Sequence, residues 1–318
     1  MEGTSNGKED LFNAAASNDV AFLSSRIEIP TPADKEGCRS VPASSPSTCC
    51  HPGVSARDEA NREDTREQEL EAGKRWTAEG IRSLEDEDGR SLLHVAAAAG
   101  HLEAVDFLLR AGVDLLKADE GEWTPLHSAA SGGHLPVVRA LISAAQQQQK
   151  SEWGSSGSSG DKRDVLRELL EAKTPSGTTA LTIAAAKGSG TPVVEALLDA
   201  GADTEATDNY GRTALSRAVA ASNETVVDLL LTRGANVTVE EKFTGENLLH
   251  LAVNAENADL CLLLMRKDPS LKFKKNREGV TAFEAGRTPF LKHLAYLYEE
   301  ENGTAGPGAF SSSLDKDH

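Results

Sequence analysis

The strongest constraint on this chain is a short pattern that recurs through most of its length. Each copy opens with a glycine, continues through a segment resembling Thr-Pro-Leu-His and two or three alanines, and ends in an apolar Val-x-x-Leu-Leu stretch. The copies open at Gly89, Gly121, Gly177, Gly211, Gly245 and Gly279. The intervals are 32, 56, 34, 34 and 34 residues, so one copy contains an insertion. A fixed period near 33 residues predicts an array of stacked repeats.

The unit that opens at Gly121 indicates how one copy folds. Gly121 supplies a turn, Thr124 can cap a first helix through its hydroxyl group, and Pro125 suits the first helical position. The alanines keep this helix thin, and the glycine pair 132–133 ends it. Apolar residues then recur at helical spacing. Each unit is therefore expected to be a turn followed by two antiparallel helices.

The period and the T-P-L-H-x-A pattern resemble the ankyrin repeat. The resemblance implies an all-α fold, an ankyrin-repeat solenoid of helix-turn-helix units with hairpin loops, about seven units including caps. Each unit is too small to bury its own apolar face, so it is stabilised by stacking on its neighbours. In such an array, function resides on the exposed surface.

Changes in composition predict how the chain is divided. An Ala-rich stretch near the N-terminus is typical of a capping repeat, whereas Pro-, Ser- and charge-rich stretches bury too little apolar surface to fold. We expect the first part of an N-terminal capping repeat at 8–29, a disordered insertion at 30–70, the remainder of the cap at 71–87, the array at 88–298 with a flexible insertion at 146–162, and a mobile tail at 299–318.

The net charge of −17, from 50 acidic and 33 basic residues, narrows the choice of partner. Such a chain repels the phosphates of nucleic acids and membranes, and its field favours a basic protein partner. The first residues are polar, and there is no apolar run near 18 residues, so we expect neither secretion nor membrane insertion. The expected location is the cytoplasm, with the nucleus as a second compartment, and the expected state is a monomer.

Histidines and cysteines are the candidates for chemistry in this sequence. His94, His127 and His250 occupy the fourth place of the T-P-L-H segment, where a ring nitrogen satisfies loop backbone groups. The 49–51 Cys-Cys-His fragment lacks a second ligand pair at metal-binding spacing. Nucleotide-binding and hydrolase motifs are also absent from the sequence. We therefore predict a protein that is not an enzyme and that uses neither a cofactor nor a metal.

A binding module of this kind would use its loop tips and the exposed edge of each first helix. The candidate partner-binding residues are Asp88, Arg90, Glu120, Trp123, Lys187, Tyr210 and Arg212. Trp123 is the sharpest candidate because Trp and Arg are enriched among interface hot spots. Two structural alternatives stay open: Trp123 could pack against the adjacent hairpin, and Lys187 suits a helix C-terminus.

A more specific resemblance lies in the acidic-Gly-x-Trp-Thr-Pro-Leu-His segment of the second unit, the Ala-Ala-x-Lys run at 184–187 and the D-x-Y that begins at Asp208. With the order of the units, these motifs resemble the gankyrin family of ankyrin-repeat chaperones, which help assemble the proteasome regulatory particle. The resemblance implies a partner, the C-terminal domain of one ATPase subunit of the proteasome base, held in the concave face.

The same resemblance assigns roles to individual side chains. It implies that Asp88 and Glu120 meet arginines of the partner, that Arg90 and Lys187 meet its glutamates, and that Trp123 is an anchor at a loop tip. Exposed ion pairs are weak, at about 0–1 kcal/mol each, so affinity would depend on the buried aromatic ring and a few desolvated charges. The alternative function is an adaptor or signalling scaffold of the same fold that binds another protein.

Overall fold

A computed structural model describes residues 6–27, 76–153, 164–188 and 190–301. Sixteen α-helices and one short 3-10 helix, Pro269–Phe273, lie in these ranges. The α-helices are α1 (Asn6–Ser17), α2 (Val20–Arg26), α3 (Ala78–Arg82), α4 (Leu92–Ala99), α5 (Leu102–Arg110), α6 (Pro125–Gly132), α7 (Leu135–Trp153), α8 (Val165–Glu171), α9 (Ala180–Ala185), α10 (Thr191–Asp199), α11 (Ala214–Ala220), α12 (Glu224–Thr232), α13 (Leu248–Asn254), α14 (Ala258–Lys267), α15 (Ala282–Ala285) and α16 (Thr288–Glu301).

Fourteen of these helices form seven consecutive pairs that stack into an elongated array. The first helices of the pairs form an inner row in which each packs on the next, in the order α1, α4, α6, α9, α11, α13 and α15. The second helices form an outer row, in which α5 packs between α2 and α7. The two remaining helices, α3 and α8, lie in the connections between pairs. The predicted all-α solenoid of about seven units is confirmed.

The first helices begin where the sequence places a capping residue. The hydroxyl groups of Thr179 and Thr213 accept backbone N–H groups at the starts of α9 and α11. At the start of α6, Thr124 and His127 form a reciprocal capping box, and Pro125 occupies the first turn. These side chains satisfy backbone donors that have no partner inside the helix. The starts of these helices are therefore encoded locally.

One apolar core runs through the whole array. The inner helices contribute paired small side chains, such as Ala129 and Ala130 of α6, which are completely buried. Small residues let neighbouring inner helices approach closely, while larger side chains such as Leu141 and Leu197 of the outer row fill the space behind them. The repeats therefore share one core instead of having separate ones.

The second helix of the third pair is longer than the sequence pattern indicated. We expected a flexible insertion over 146–162, but α7 continues to Trp153. The side-chain amide of Gln149 donates to an oxygen of Asp164 at 3.1 Å, which connects this extension to the start of α8. Gln, Lys and Glu are good helix formers, so the polar composition favoured helix as well as loop. The rest of the insertion, 154–162, lies outside the described residues.

The N-terminal pair, α1 and α2, packs directly on α4 and α5. The backbone N–H of Trp76 donates to the carbonyl oxygen of Arg26 at 2.6 Å, and Ile27 and Trp76 form a parallel bridge. The chain therefore returns to the end of α2 after the stretch 28–75. The disordered insertion predicted at 30–70 lies outside the described residues, as does the part of the predicted tail 299–318 that follows Glu301.

Candidate protein-binding surface

A hairpin loop precedes the first helix of each pair from α4 onward, and in several of these hairpins one polar side chain clamps the two arms together. In the hairpin before α11, one carboxylate oxygen of Asp208 accepts the backbone N–H groups of Tyr210 and Arg212, each at 2.9 Å. Asp86 and Asp119 accept two backbone N–H groups in the same way in their own hairpins. The clamps fix the tip of each loop, so its side chains are presented in a defined direction.

Backbone hydrogen bonds connect the tips of neighbouring hairpins. The N–H of Glu120 donates to the carbonyl oxygen of Asp88 at 3.3 Å, which joins the loops 86–90 and 119–123. We call these two loops the N-terminal ridge. The loops 174–178, 208–212, 241–246 and 276–280 are joined in the same manner, and we call them the C-terminal ridge. The predicted row of loop tips therefore exists as two runs of stacked hairpins.

The register of the second hairpin corrects one expectation. We took Gly121 as the turn residue of its unit, but the left-handed backbone conformation lies one residue later, at Glu122, where φ is 56°. Glu122 thus corresponds to Gly89, and the interval between them is 33 residues. In this register Trp123 occupies the position of Arg90 and of Arg212. This equivalence was not evident from the sequence, because Gly89 and Gly121 are 32 residues apart whereas the equivalent turn residues are 33 apart.

The N-terminal ridge is rich in acidic side chains. Arg90 forms ion pairs with Asp86 at 2.8 Å and with Asp88 at 3.0 Å, and the hydrogen bond that it donates to the Asp86 carboxylate raises the pKa of the Arg90 guanidinium. The Asp88 side chain is nevertheless 69% exposed, and Glu120 and Glu122 are exposed beside it. Part of the positive charge of Arg90 is therefore used within its own hairpin, while the carboxylates face solvent.

Trp123 is held by its own unit as well as presented at the tip. Its side chain is half-buried, and its ring lies 6.0 Å from the ring of His127 with an interplanar angle of 54°. Its backbone carbonyl oxygen lies 2.9 Å from Nε2 of His94 in the preceding unit. Trp123 is thus partly packed against its own repeat. Because its side chain is only half-buried, it can also contact a partner.

Lys187 lies apart from the other candidate residues. It occupies the turn after α9, at the opposite end of that helix from the hairpin, and its side chain is exposed. Its backbone carbonyl oxygen accepts a hydrogen bond from the Asn223 amide at 3.0 Å. The structure therefore brings Asp88, Arg90 and Glu120 together, with Trp123 next to them in the chain, and places Lys187 on neither ridge.

Tyr210 and Arg212 lie on the C-terminal ridge. The Arg212 guanidinium lies 5.2 Å from the centre of the Tyr210 ring, and its Nε pairs with the carboxylate of Glu241, whose side chain is 7% exposed. The hydrogen bond to Glu241 raises the pKa of Arg212. The ring of Phe243 meets that of Tyr210 edge to face at 5.9 Å.

Sequence reasoning missed Lys242 and Phe243. Phe243 is 60% exposed, and the ammonium group of Lys242 lies 5.9 Å from its ring centre. The sequence did contain a signal for Phe243, because an aromatic residue lies close before the opening glycine in both units. Phe243 lies two residues before Gly245, and Tyr210 lies one residue before Gly211. A comparison of the residues before each opening glycine would have found both rings.

The histidines of the T-P-L-H segments have the structural role that the sequence indicated. In the first of them, the backbone N–H of Ser91 donates to Nδ1 of His94 at 3.1 Å, and Nε2 contacts the carbonyl oxygen of Trp123 in the next unit. His127 and His250 repeat this arrangement, reaching the carbonyl oxygens of Ala172 and Val280. Burial lowers the pKa of His94 and of His127.

Among the residues that the structure describes, no group of three His, Cys, Asp or Glu side chains could hold a metal ion. The Cys-Cys-His fragment at 49–51 lies outside them. None of the described helices combines the length and the apolar character needed to cross a membrane.

Comparison with known proteins matches more than half of the chain to one family of repeats. A family model for ankyrin repeats, in three copies, matches residues 67–151 and 156–241, which together make up more than half of the chain. Ankyrin repeats are stacked helix pairs with hairpin loops that typically serve as non-catalytic protein-interaction modules. The match and the stacked helix pairs described above agree.

The chain is also similar to parts of several individual proteins. The chain is 29% identical over 69% of its length to a transient receptor potential cation channel subfamily A member 1 homolog of Caenorhabditis elegans, and 32% identical over 53% to an L-asparaginase of Dirofilaria immitis. It is also 48% identical over 40 residues to the 26S proteasome non-ATPase regulatory subunit 10 of Rattus norvegicus. The chain spans only 16%, 25% and 17% of the lengths of these relatives.

Proposed function

This chain belongs to the ankyrin-repeat family, and we propose that it is a non-catalytic chaperone that holds the C-terminal domain of a proteasome ATPase subunit during assembly of the regulatory particle. The coarser role, binding of a protein partner through the repeat surface, follows from the family. The finer role rests on the motifs that resemble gankyrin and on the short match to a proteasome regulatory subunit.

The observation that carries the proposal is the adjacency of Asp88 and Glu120 on the N-terminal ridge. Their hairpins are joined by a backbone hydrogen bond, and both carboxylates are exposed. A pair of exposed carboxylates on linked hairpins, with Trp123 in the second hairpin, suits arginine side chains on a helical partner domain, because guanidinium groups bind carboxylates and stack on aromatic rings. Arg90, Tyr210, Arg212 and Lys187 extend the proposed contact surface.

The mechanism we propose is steric. While the array occupies the C-terminal domain of one ATPase subunit, that subunit cannot dock prematurely onto the proteolytic core. Release follows when assembly is complete, and no cofactor or turnover is involved. We propose that the protein acts as a monomer, in the cytoplasm or the nucleus.

The partner is tested by co-purification of the tagged full-length chain followed by mass spectrometry. We expect free intermediates of the proteasome base without mature holoenzyme. Recovery of a kinase, a transcription factor or a ubiquitin ligase without base subunits would instead favour the adaptor or scaffold function and would reject the chaperone role.

The site is tested by the double charge reversal Asp88→Lys with Glu120→Lys. We expect at least about a tenfold loss of affinity for the ATPase C-terminal domain, measured by biolayer interferometry, because two attractive contacts become repulsive. The association rate should fall most at low salt, where charges are screened least.

The matched control is Asp106→Lys with Glu195→Lys, which changes the net charge by the same amount on the exposed outer helices α5 and α10. We expect this control to bind almost as the wild type does. Equal affinities of wild type and the Asp88/Glu120 variant would remove the proposed site.

A further inference from the structure

The C-terminal ridge carries a pair of exposed aromatic rings, of which only Tyr210 belongs to the surface proposed for the ATPase subunit. Tyr210 and Phe243 are 49% and 60% exposed, and they contact each other edge to face across two hairpins. Single exposed apolar residues are common on protein surfaces and need no explanation. Two exposed rings in contact are different, because aromatic residues concentrate at interfaces and are costly to leave in water.

The backbone and the buried charges around these rings hold them in place. The N–H of Lys242 donates to the carbonyl oxygen of Tyr210 at 2.8 Å, which joins the two hairpins. Beneath the rings, the Glu241 carboxylate pairs with Arg212 and also accepts the hydroxyl of Thr244 at 3.0 Å. Because the rings are already ordered, a ligand would lose little conformational entropy in binding them.

Two exposed basic side chains, Lys242 and Arg277, lie on the hairpins next to the rings. The Lys242 ammonium lies over the face of Phe243. Arg277 lies in the next hairpin, where its backbone N–H donates to the carbonyl oxygen of Thr244 at 2.9 Å and its side chain passes beside Gly245. Both side chains are exposed, and within the described ranges neither forms an ion pair. The neighbouring stretch 270–281 contains four basic residues and one acidic residue, in a chain whose net charge is −17.

We propose that Tyr210, Lys242, Phe243 and Arg277, here named the tip cluster, bind an extended acidic segment of a partner protein that carries an aromatic side chain. The two rings would pack against that side chain, and the two cations would pair with the flanking carboxylates. Charge complementarity favours this occupant, because Lys242 and Arg277 are exposed, whereas the two acidic residues before Lys242 are already paired, Glu240 with Lys274 and Glu241 with Arg212.

The test uses the full-length chain and a fluorescein-labelled synthetic peptide of sequence GEDEFEDEGS, followed by fluorescence anisotropy. We expect saturable binding that weakens as salt is added, because the contacts include ion pairs. A peptide with serine in place of the phenylalanine should bind at least about tenfold more weakly, since the stacking contact is lost. Equal binding of the two peptides would overturn the proposal.

The decisive variant is Lys242→Glu with Phe243→Ser, for which we expect at least about a tenfold loss of peptide affinity. Its matched control is Lys272→Glu with Phe273→Ser. Phe273 is 73% exposed and the Lys272 ammonium lies 4.9 Å from its ring, so this variant removes the same two kinds of side chain as the decisive variant. It removes them at another place, where Lys272 also lies over the Tyr298 ring of α16. The control should bind the peptide as the wild type does, and an equal loss in both variants would overturn the proposal.

Lys242→Glu alone serves as a second variant, because it changes the charge without removing a ring.

Two further results would also reject the proposal. One is tighter binding of a single-stranded RNA oligonucleotide than of the peptide. The other is a concentration-dependent dimer in sedimentation that the double variant abolishes, which would show that a second copy of this chain is the occupant. The assay contains no proteasome subunit, and its variants leave the proposed ATPase-binding residues unchanged, so the two proposals can fail separately.

Discussion

The buried histidines link stability to pH at the scale of single residues. The backbone N–H of Ser91 requires Nδ1 of His94 to be an acceptor, so the neutral ring carries its proton on Nε2 and donates it to the Trp123 carbonyl oxygen. His127 has the same arrangement with Thr124 and Ala172. Protonation of Nδ1 would place two donors face to face, and burial also disfavours the charged ring.

We therefore predict that the protein loses stability as the pH falls below about 6.5, the unfolded pKa of histidine. The folded pKa values of His94 and His127 are lowered, so the unfolded chain binds more protons than the folded chain between the folded and the unfolded pKa. The stability that the neutral rings contribute is therefore complete above the unfolded pKa and is lost as the pH falls through the folded pKa. Urea unfolding at pH 7.5, 6.5 and 5.5 measures the effect.

The double variant His94→Thr with His127→Thr tests the assignment, because Thr182 already occupies the equivalent position in another unit. The variant should be less stable at pH 7.5 and show a shallower loss of stability toward pH 5.5. The control is His293→Thr, which changes an exposed histidine on α16. A pH dependence that is unchanged in the double variant would contradict the role of these two rings.

At the scale of elements, the contact between neighbouring hairpins depends on a residue without a side chain. Gly177 has φ of 80°, and a Cβ atom there would lie 2.9 Å from the backbone nitrogen of Asn209, whose N–H donates to Ser176. Gly279 occupies the equivalent turn in the last hairpin with φ of 79°, but a Cβ atom there would have no heavy atom within 4 Å.

We predict that Gly279→Ala costs about 1–2 kcal/mol, the penalty of the left-handed conformation. Gly177→Ala should cost about 1 kcal/mol more, because the hydrogen bond between the hairpins must also lengthen. Chemical unfolding of both variants gives the difference. If the two substitutions destabilise the protein equally, the close contact between hairpins contributes nothing measurable.

Elements whose signals are local could be predicted from the sequence. The starts of α6, α9 and α11 follow from Thr124, Thr179 and Thr213, because a capping residue acts within one turn. The extension of α7 to Trp153 was missed because its polar residues suit both a loop and an exposed helix.

Features that join two units were harder to predict. The ion pair of Arg212 with Glu241 connects side chains 29 residues apart, and its formation depends on how neighbouring hairpins align. The candidate surface shows the same limit. The residues near each opening glycine were identified correctly as loop residues, but their division into two ridges, and the position of Lys187 apart from both, required the stacked structure.

At the scale of the whole molecule, the continuous core predicts that the effect of a destabilising substitution on neighbouring repeats depends on where its own repeat lies in the array. Leu294 lies in the closing helix α16 and Leu197 lies in the central helix α10, and both are almost completely buried. Replacing either by alanine leaves a cavity and should cost about 2–5 kcal/mol locally.

We predict different hydrogen-exchange patterns for the two variants. Leu294→Ala should lower amide protection in α13 to α16 and leave α4 to α6 unchanged, because an end unit can unfold alone. Leu197→Ala should lower protection on both sides of α10 and give urea unfolding in two steps, because it weakens the link between the halves. The same exchange pattern in both variants would mean that the array unfolds as one cooperative unit.

The short contact between Arg26 and Trp76 has a consequence for protein engineering. Because the backbone leaves the end of α2 and comes back beside it, the stretch 28–75 is attached at two adjacent points. A segment that replaces this stretch therefore needs to connect only two neighbouring backbone positions. A brief Gly-Ser linker, a fluorescent reporter or an affinity handle could take the place of this stretch, which makes it the natural site for labelling the protein without touching either ridge.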